Sequence, residues 1–171
     1  MKGYLQVYTG NGKGKTTAAI GLAVRAAGAG LRVLFAQFVK GMKYSEIGAL
    51  DRFDDLIVVR QYGRGCFIER KAEQADRDAA QRGLEEIRTF LVNDAFDVVI
   101  LDEANIAMYY SLFTVDELLG VIQQRHSFCE MIVTGRYAPQ KLIDRADLVT
   151  EMREVRHYYA HGVQARTGIE R

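Results

Sequence analysis

Apolar positions along the chain alternate between two rhythms. Positions 4–8 form a short β-prone run that ends in a glycine-rich turn. Positions 16–29 are Ala-rich and helical, closed by Gly28 and Gly30. Positions 31–39 are nearly all apolar and predict a second strand, 45–53 a short helix, and 56–61 a third strand. In the long stretch 69–93, Ala72, Ala75, Ala79, Ile87, Phe90 and Leu91 recur at three- and four-residue steps, the period of an amphipathic helix. A buried-type strand at 97–101 ends in acids. Thr114 opens a further helix, with Glu117 at the capping-box spacing. Positions 130–134 predict a fifth strand, Pro139 suits a first helical turn, and 148–155 predict a sixth strand.

Several of these strands are continuous apolar runs, Val98-Val99-Ile100-Leu101 being the clearest. Such runs imply burial on both faces, hence a parallel sheet between helix layers. Ligands in such sheets sit beyond the carboxyl ends of the strands, which is where the chemistry-bearing residues fall.

The length, 171 residues, predicts one domain spanning 1–171 with a core of its own. Lys plus Arg number 23 against 22 Asp plus Glu, a net charge of +1, which argues against a general nucleic-acid or membrane-surface binder. The two cysteines, Cys66 and Cys129, lie far from any CxxC spacing, and the three histidines form no metal spacing with them. No signal-type segment or long apolar run occurs, so the expected location is the cytoplasm.

Thr9-Gly10-Asn11-Gly12-Lys13-Gly14-Lys15-Thr16-Thr17 follows a strand and opens a helix, the context of a phosphate-binding loop. Its glycines let backbone N–H groups surround an anion, and the helix N-terminus adds a positive dipole end. Lys15 is expected to reach the terminal phosphates and Thr16 to offer a hydroxyl to a divalent metal. The pattern GxxxxGK[ST] would place Gly at position 9, where this chain has Thr. The fold class expected is therefore α/β: a three-layer P-loop NTPase (RecA-like) fold with a mostly parallel central sheet.

Asp102 and Glu103 end the fourth strand in the Walker B manner and are the metal candidates with Thr16; each has the alternative reading of merely capping the next helix. Arg136, directly after the fifth strand, has the fork to bind phosphate. Arg25 on the first helix and Lys40 after the second strand are further binding candidates, each equally readable as a solvated side chain. Glu46 suits a ribose hydroxyl or plain solvent. The loop from Gly63 to Ile68 suits a flat apolar ligand or the core.

The loop variant, with Arg25-Ala26, Gln37-Phe38-Val39-Lys40-Gly41, Leu101-Asp102-Glu103, Thr134-Gly135-Arg136, Ala146-Asp147-Leu148 and the tail Gly168-Ile169-Glu170, resembles the P-loop corrinoid adenosyltransferases over nearly the whole chain. The resemblance implies that Co(I) of a reduced corrinoid attacks the ribose C5′ of ATP and expels triphosphate. It implies a nucleotide set in the loop in the reverse sense, Mg2+ or Mn2+ as the metal, a homodimer, and a flavoprotein reductase as electron source. Lys15, Arg136 and Glu103 are then the catalytic set. Gly10, Asn11, Gly12, Lys13, Gly14, Lys15, Thr16, Thr17, Arg25, Lys40 and Arg136 bind the nucleotide. Phe67 and Ile68 face the corrinoid, although many family members read Gly-Phe-Thr-Trp where this chain reads Gly65-Cys66-Phe67-Ile68. Longer members carry an N-terminal extension, whereas here Tyr4 follows only three residues, so a partner subunit is expected to help close the corrinoid site. Two other readings share Lys15, Thr16 and Glu103: a γ-phosphate-transferring NTPase or kinase, and an ATP-binding switch without turnover.

Overall fold

A computed structural model describes residues 2–41, 44–65 and 72–170. Six strands form one sheet: β1 (Leu5–Thr9), β2 (Val33–Gln37), β3 (Ile57–Gln61), β4 (Val98–Asp102), β5 (Glu130–Thr134) and β6 (Leu148–Glu151). Their order is β3-β2-β4-β5-β1-β6, and every pairing is parallel rather than only most of them. β2 and β4 are buried along their whole length, as their continuous apolar runs predict.

Side chains alternate between the two faces of the sheet. Val33, Phe35, Val98, Ile100 and Ile132 pack under α1 (Lys15–Gly28) and α2 (Ser45–Leu50). Leu34, Ala36, Val99, Leu101, Met131 and Val133 pack under α3 (Gln74–Val92), α4 (Ala104–Tyr109), α5 (Val115–Ile122) and α6 (Gln140–Ile143). The result is three layers, the expected fold class.

Local chemistry sets the helix starts. Thr114 N donates to Glu117 Oε2 at 2.6 Å and Glu117 N to Thr114 Oγ1 at 3.2 Å, the capping box predicted from spacing. These bonds hold the Glu117 carboxyl below its usual range. A second box, between Glu73 and Asp76, starts α3 at Gln74, later than the apolar period alone suggests. Pro139 stands one residue before α6 as its N-cap.

Further differences from expectation lie in β2, α4 and β6. β2 is shorter than 31–39. α4 forms where no helix is expected, because Glu103 turns the chain through a left-handed φ of 57° directly after β4. β6 stops at Glu151 rather than continuing to 155, since only its stretch beside β1 has a ladder partner. Among the described residues no helix is long and apolar enough to cross a membrane.

Ile100 lies at the centre of the sheet, with no solvent exposure. Ile100→Ala is expected to lower stability by about 2–5 kcal/mol and Ile100→Val by about 0.5–1.5 kcal/mol in urea unfolding. Burial pushes the Cys129 thiol up to about 12. In the native protein at about pH 8, iodoacetamide should leave Cys129 unmodified, and urea should expose it, as read by peptide mass spectrometry.

Candidate nucleotide-binding site

The carboxyl ends of β1, β4 and β5 are neighbours in the sheet, with β5 between the other two. Gly10 and Gly14 adopt φ of 94° and 120°, which turn the chain from β1 into α1. Gly10 and Gly12 have a second reason to be glycine. A Cβ on Gly10 would lie 2.4 Å from the Met152 carbonyl oxygen, and one on Gly12 2.8 Å from Arg153 backbone. The chain leaving β6 is therefore laid directly against the loop, and Gly12 N donates to Met152 O at 2.7 Å. Thr9, the departure from the usual pattern, accepts a bond from Ala138 N through its hydroxyl at 3.3 Å.

Lys15 spans the loop from inside, donating to the carbonyls of Gly10 and Gly12, both at 2.7 Å. Burial and the nearby Arg136 push its ammonium down, while Glu103 and Asp102 partly restore it. Arg136, exposed at the end of β5, donates to Asn11 O at 3.3 Å and so stands at the rim of the same loop.

Facing the loop is Asp102, fully buried. Its Oδ1 accepts from the Thr16 hydroxyl at 2.8 Å and the Thr134 hydroxyl at 2.7 Å. Its Oδ2 accepts from Gln37 Nε2 at 3.0 Å and lies 3.5 Å from Lys40 Nζ. Gln37 is itself oriented by Gln61, whose Nε2 donates to Gln37 Oε1 at 2.9 Å. Thr9 lies in the glycine-rich loop, and Gln37 and Thr134 lie in the blocks that carry the resemblance, but nothing local in the sequence shows which groups they bond.

Glu103 has room that Asp102 lacks. Burial and the Asp102 charge raise its carboxyl above the usual range, against the pull of Lys40, Lys15 and Arg136. Lys40 Nζ lies 3.9 Å from Glu103 Oε1. Neither acid caps α4: Glu103 occupies the N-cap position without a side-chain bond to the helix, and Asp102 is taken by the partners above. The cluster sets three cations, Lys15, Lys40 and Arg136, against two carboxylates. The balance favours an anionic ligand.

The structure thus brings Gly10, Asn11, Gly12, Gly14, Lys15, Thr16, Lys40, Asp102, Glu103 and Arg136 together. Thr17 lies exposed on the first turn of α1. Arg25 is not brought in. It lies exposed on the last turn of α1, about 15 Å along the axis from Lys15. Lys13 is on the loop, but its ammonium is bound by Tyr158, Ile169 and Glu170. Glu46 is half-buried in the first turn of α2. Phe67 and Ile68 lie outside the described residues. The root of their loop is placed, with Gly41 N donating to Gly65 O at 2.8 Å and Gly63 against the Lys40 backbone.

An anion cradle at a helix N-terminus, answered by a carboxylate at a neighbouring strand end, places the protein in the P-loop nucleotide-binding class. The chain belongs to the ATP:corrinoid adenosyltransferase BtuR/CobO/CobP family, whose model matches residues 1–171. It is 35% identical over 170 residues to a corrinoid adenosyltransferase of Pseudomonas aeruginosa, covering 99% of this chain and 84% of that one. It is 34% identical over 170 residues to corrinoid adenosyltransferase CobA of Salmonella typhimurium, covering 99% and 86%. An uncharacterized protein of Nostoc sp. is 38% identical over 184 residues, covering 99% of this chain and 48% of that protein.

Asp102→Ala would take from buried Lys40 the nearer of its two carboxylates, leaving Glu103 at 3.9 Å, and would strip Thr16, Thr134 and Gln37 of their shared acceptor. It should cost about 3–5 kcal/mol of stability in denaturant titration, and Asp102→Asn, which keeps the shape and the hydroxyl contacts, clearly less.

Proposed function

We propose that this chain transfers the 5′-deoxyadenosyl group of ATP to the Co(I) of a reduced corrinoid. The Co–C5′ bond forms as the C5′–O bond breaks, and triphosphate leaves. The observation that supports this best is the cation-lined loop matched over a whole chain of the adenosyltransferase family. The nucleophile is the cobalt of the substrate, so the protein need not supply one. Its task is to hold C5′ in line, exclude water and stabilise charge on the leaving triphosphate. Lys15 and Arg136 serve that last role.

The donor set fits Mg2+ or Mn2+. Among the described residues no cluster of three or more His, Cys, Asp or Glu could hold a metal alone. Magnesium, however, commonly takes one or two carboxylates and completes its shell with phosphate and water. Glu103 and the Thr16 hydroxyl would hold it. Asp102, with both oxygens engaged, orients Thr16 through the 2.8 Å bond. A cation held there would supply charge neutralisation for the triphosphate.

Gly63 packs against Lys40 backbone, so the loop running on to Phe67 and Ile68 begins beside the acid cluster. We assign the corrinoid to that side. A homodimer, a flavoprotein reductase as electron donor and a cytoplasmic location complete the reading.

Anaerobic incubation with ATP, chemically reduced cob(I)alamin and magnesium should yield adenosylcobalamin and tripolyphosphate, followed by visible spectroscopy and chromatography. Phosphate or ADP without a Co–C bond would point to γ-phosphate transfer; ATP binding without turnover would point to a switch. Lys15→Ala should keep the fold and weaken ATP binding at least about tenfold by calorimetry.

A further inference from the structure

The segment beyond β6 returns over the phosphate loop and closes on Lys13. Lys13 Nζ donates to the Tyr158 hydroxyl at 3.2 Å, the Ile169 carbonyl at 2.9 Å and Glu170 Oε1 at 2.8 Å. A lysine ammonium has three protons, and all three are committed. The Glu170 carboxylate is also bound by Arg166, through the backbone N at 2.8 Å, Nε at 3.3 Å and Nη2 at 3.1 Å, and it bonds the Tyr158 hydroxyl. Lys13 and Arg166 both lie over the Tyr158 ring, at 5.9 and 5.0 Å from its centroid. These contacts hold the Glu170 carboxyl well below its usual range, Arg166 contributing most, and raise the Lys13 ammonium. Both groups are therefore charged throughout the neutral range.

Lys13 stands between Gly12 and Gly14, in the stretch of chain that must wrap a phosphate. With its protons spent, it can bond a phosphate oxygen only by releasing a partner. Glu170 is the partner that can be released without being stranded, because Arg166 keeps three bonds to it. The Lys13 side chain is 42% exposed, and ion pairs in contact with water are weak. A triphosphate brings several negative charges to the same spot.

We infer that Glu170 is an internal competitor for the polyanion. It occupies Lys13, sets the affinity of the loop for triphosphate, and gives Lys13 up when triphosphate binds, which loosens the segment 158–170. The inference rests on the reading that this loop takes the triphosphate of the nucleotide.

Inorganic tripolyphosphate is the probe, titrated by calorimetry at constant ionic strength. Glu170→Gln should bind it about two- to fivefold more tightly than the unmodified protein. Tyr158→Phe, which removes one acceptor from Lys13, should shift affinity the same way. Lys13→Ala should bind more weakly, and adding Glu170→Gln to it should change nothing further. Amide hydrogen exchange over 158–170 should rise when tripolyphosphate is added to the unmodified protein. Unchanged or weaker binding by Glu170→Gln and Tyr158→Phe, with normal binding by the unmodified protein, would overturn the competitor role alone. Absence of tripolyphosphate binding by the unmodified protein would overturn this inference together with the reading of the loop.

Discussion

A carboxylate buried without solvent at the end of β4 is the constraint around which the site is arranged. An ion in that position is costly unless every lone pair is met. Asp102 is met by Thr16 from α1, Gln37 from β2, Thr134 from β5 and Lys40 from the turn after β2. The register of the sheet makes this possible: Gln37 pairs with Asp102 across β2 and β4, and Leu101 pairs with Val133 across β4 and β5. A slip of one residue would turn Asp102 to the opposite face. The same carboxylate therefore pins strand register, the start of α1 and, through Thr16, the phosphate loop.

The second support of the loop comes from the other side. Met152 bonds Gly12 and Thr9, and the close approach of residues 151–153 removes room for side chains at Gly10 and Gly12. The loop thus lies between a buried anion and the chain leaving the edge strand β6. That chain continues to Tyr158 and Glu170, so a P-loop core of modest size supplies its own cover over the loop.

Charge explains why the two adjacent acids differ. Asp102 points inward and is saturated, which suits a part that orients. Glu103, set in a left-handed turn, is disfavoured in its ionised form by burial and by Asp102, and three cations counter that penalty.

Much of this was legible in the chain itself. The glycine-rich loop, the buried apolar runs of β2 and β4, the acids after Leu101 and the Thr114–Glu117 box are written within a few residues of one another. Periodicity, backbone freedom and capping act over those short distances. Other features had no local mark. Thr16 and Asp102 are 86 positions apart, and Lys13 and Glu170 are 157 apart. Arg25 reads as a site residue until the length of α1 carries it away from the loop. Thr9, Gln37 and Lys13 take their roles from partners that only folding delivers. Sequence alone determined the order of the strands and of the main helices other than α4, and the kind of ligand the loop suits, because those follow from local backbone and side-chain chemistry. The tertiary structure decided which charges are saturated and which stay available, because a buried or shared charge is defined by the neighbours that surround it.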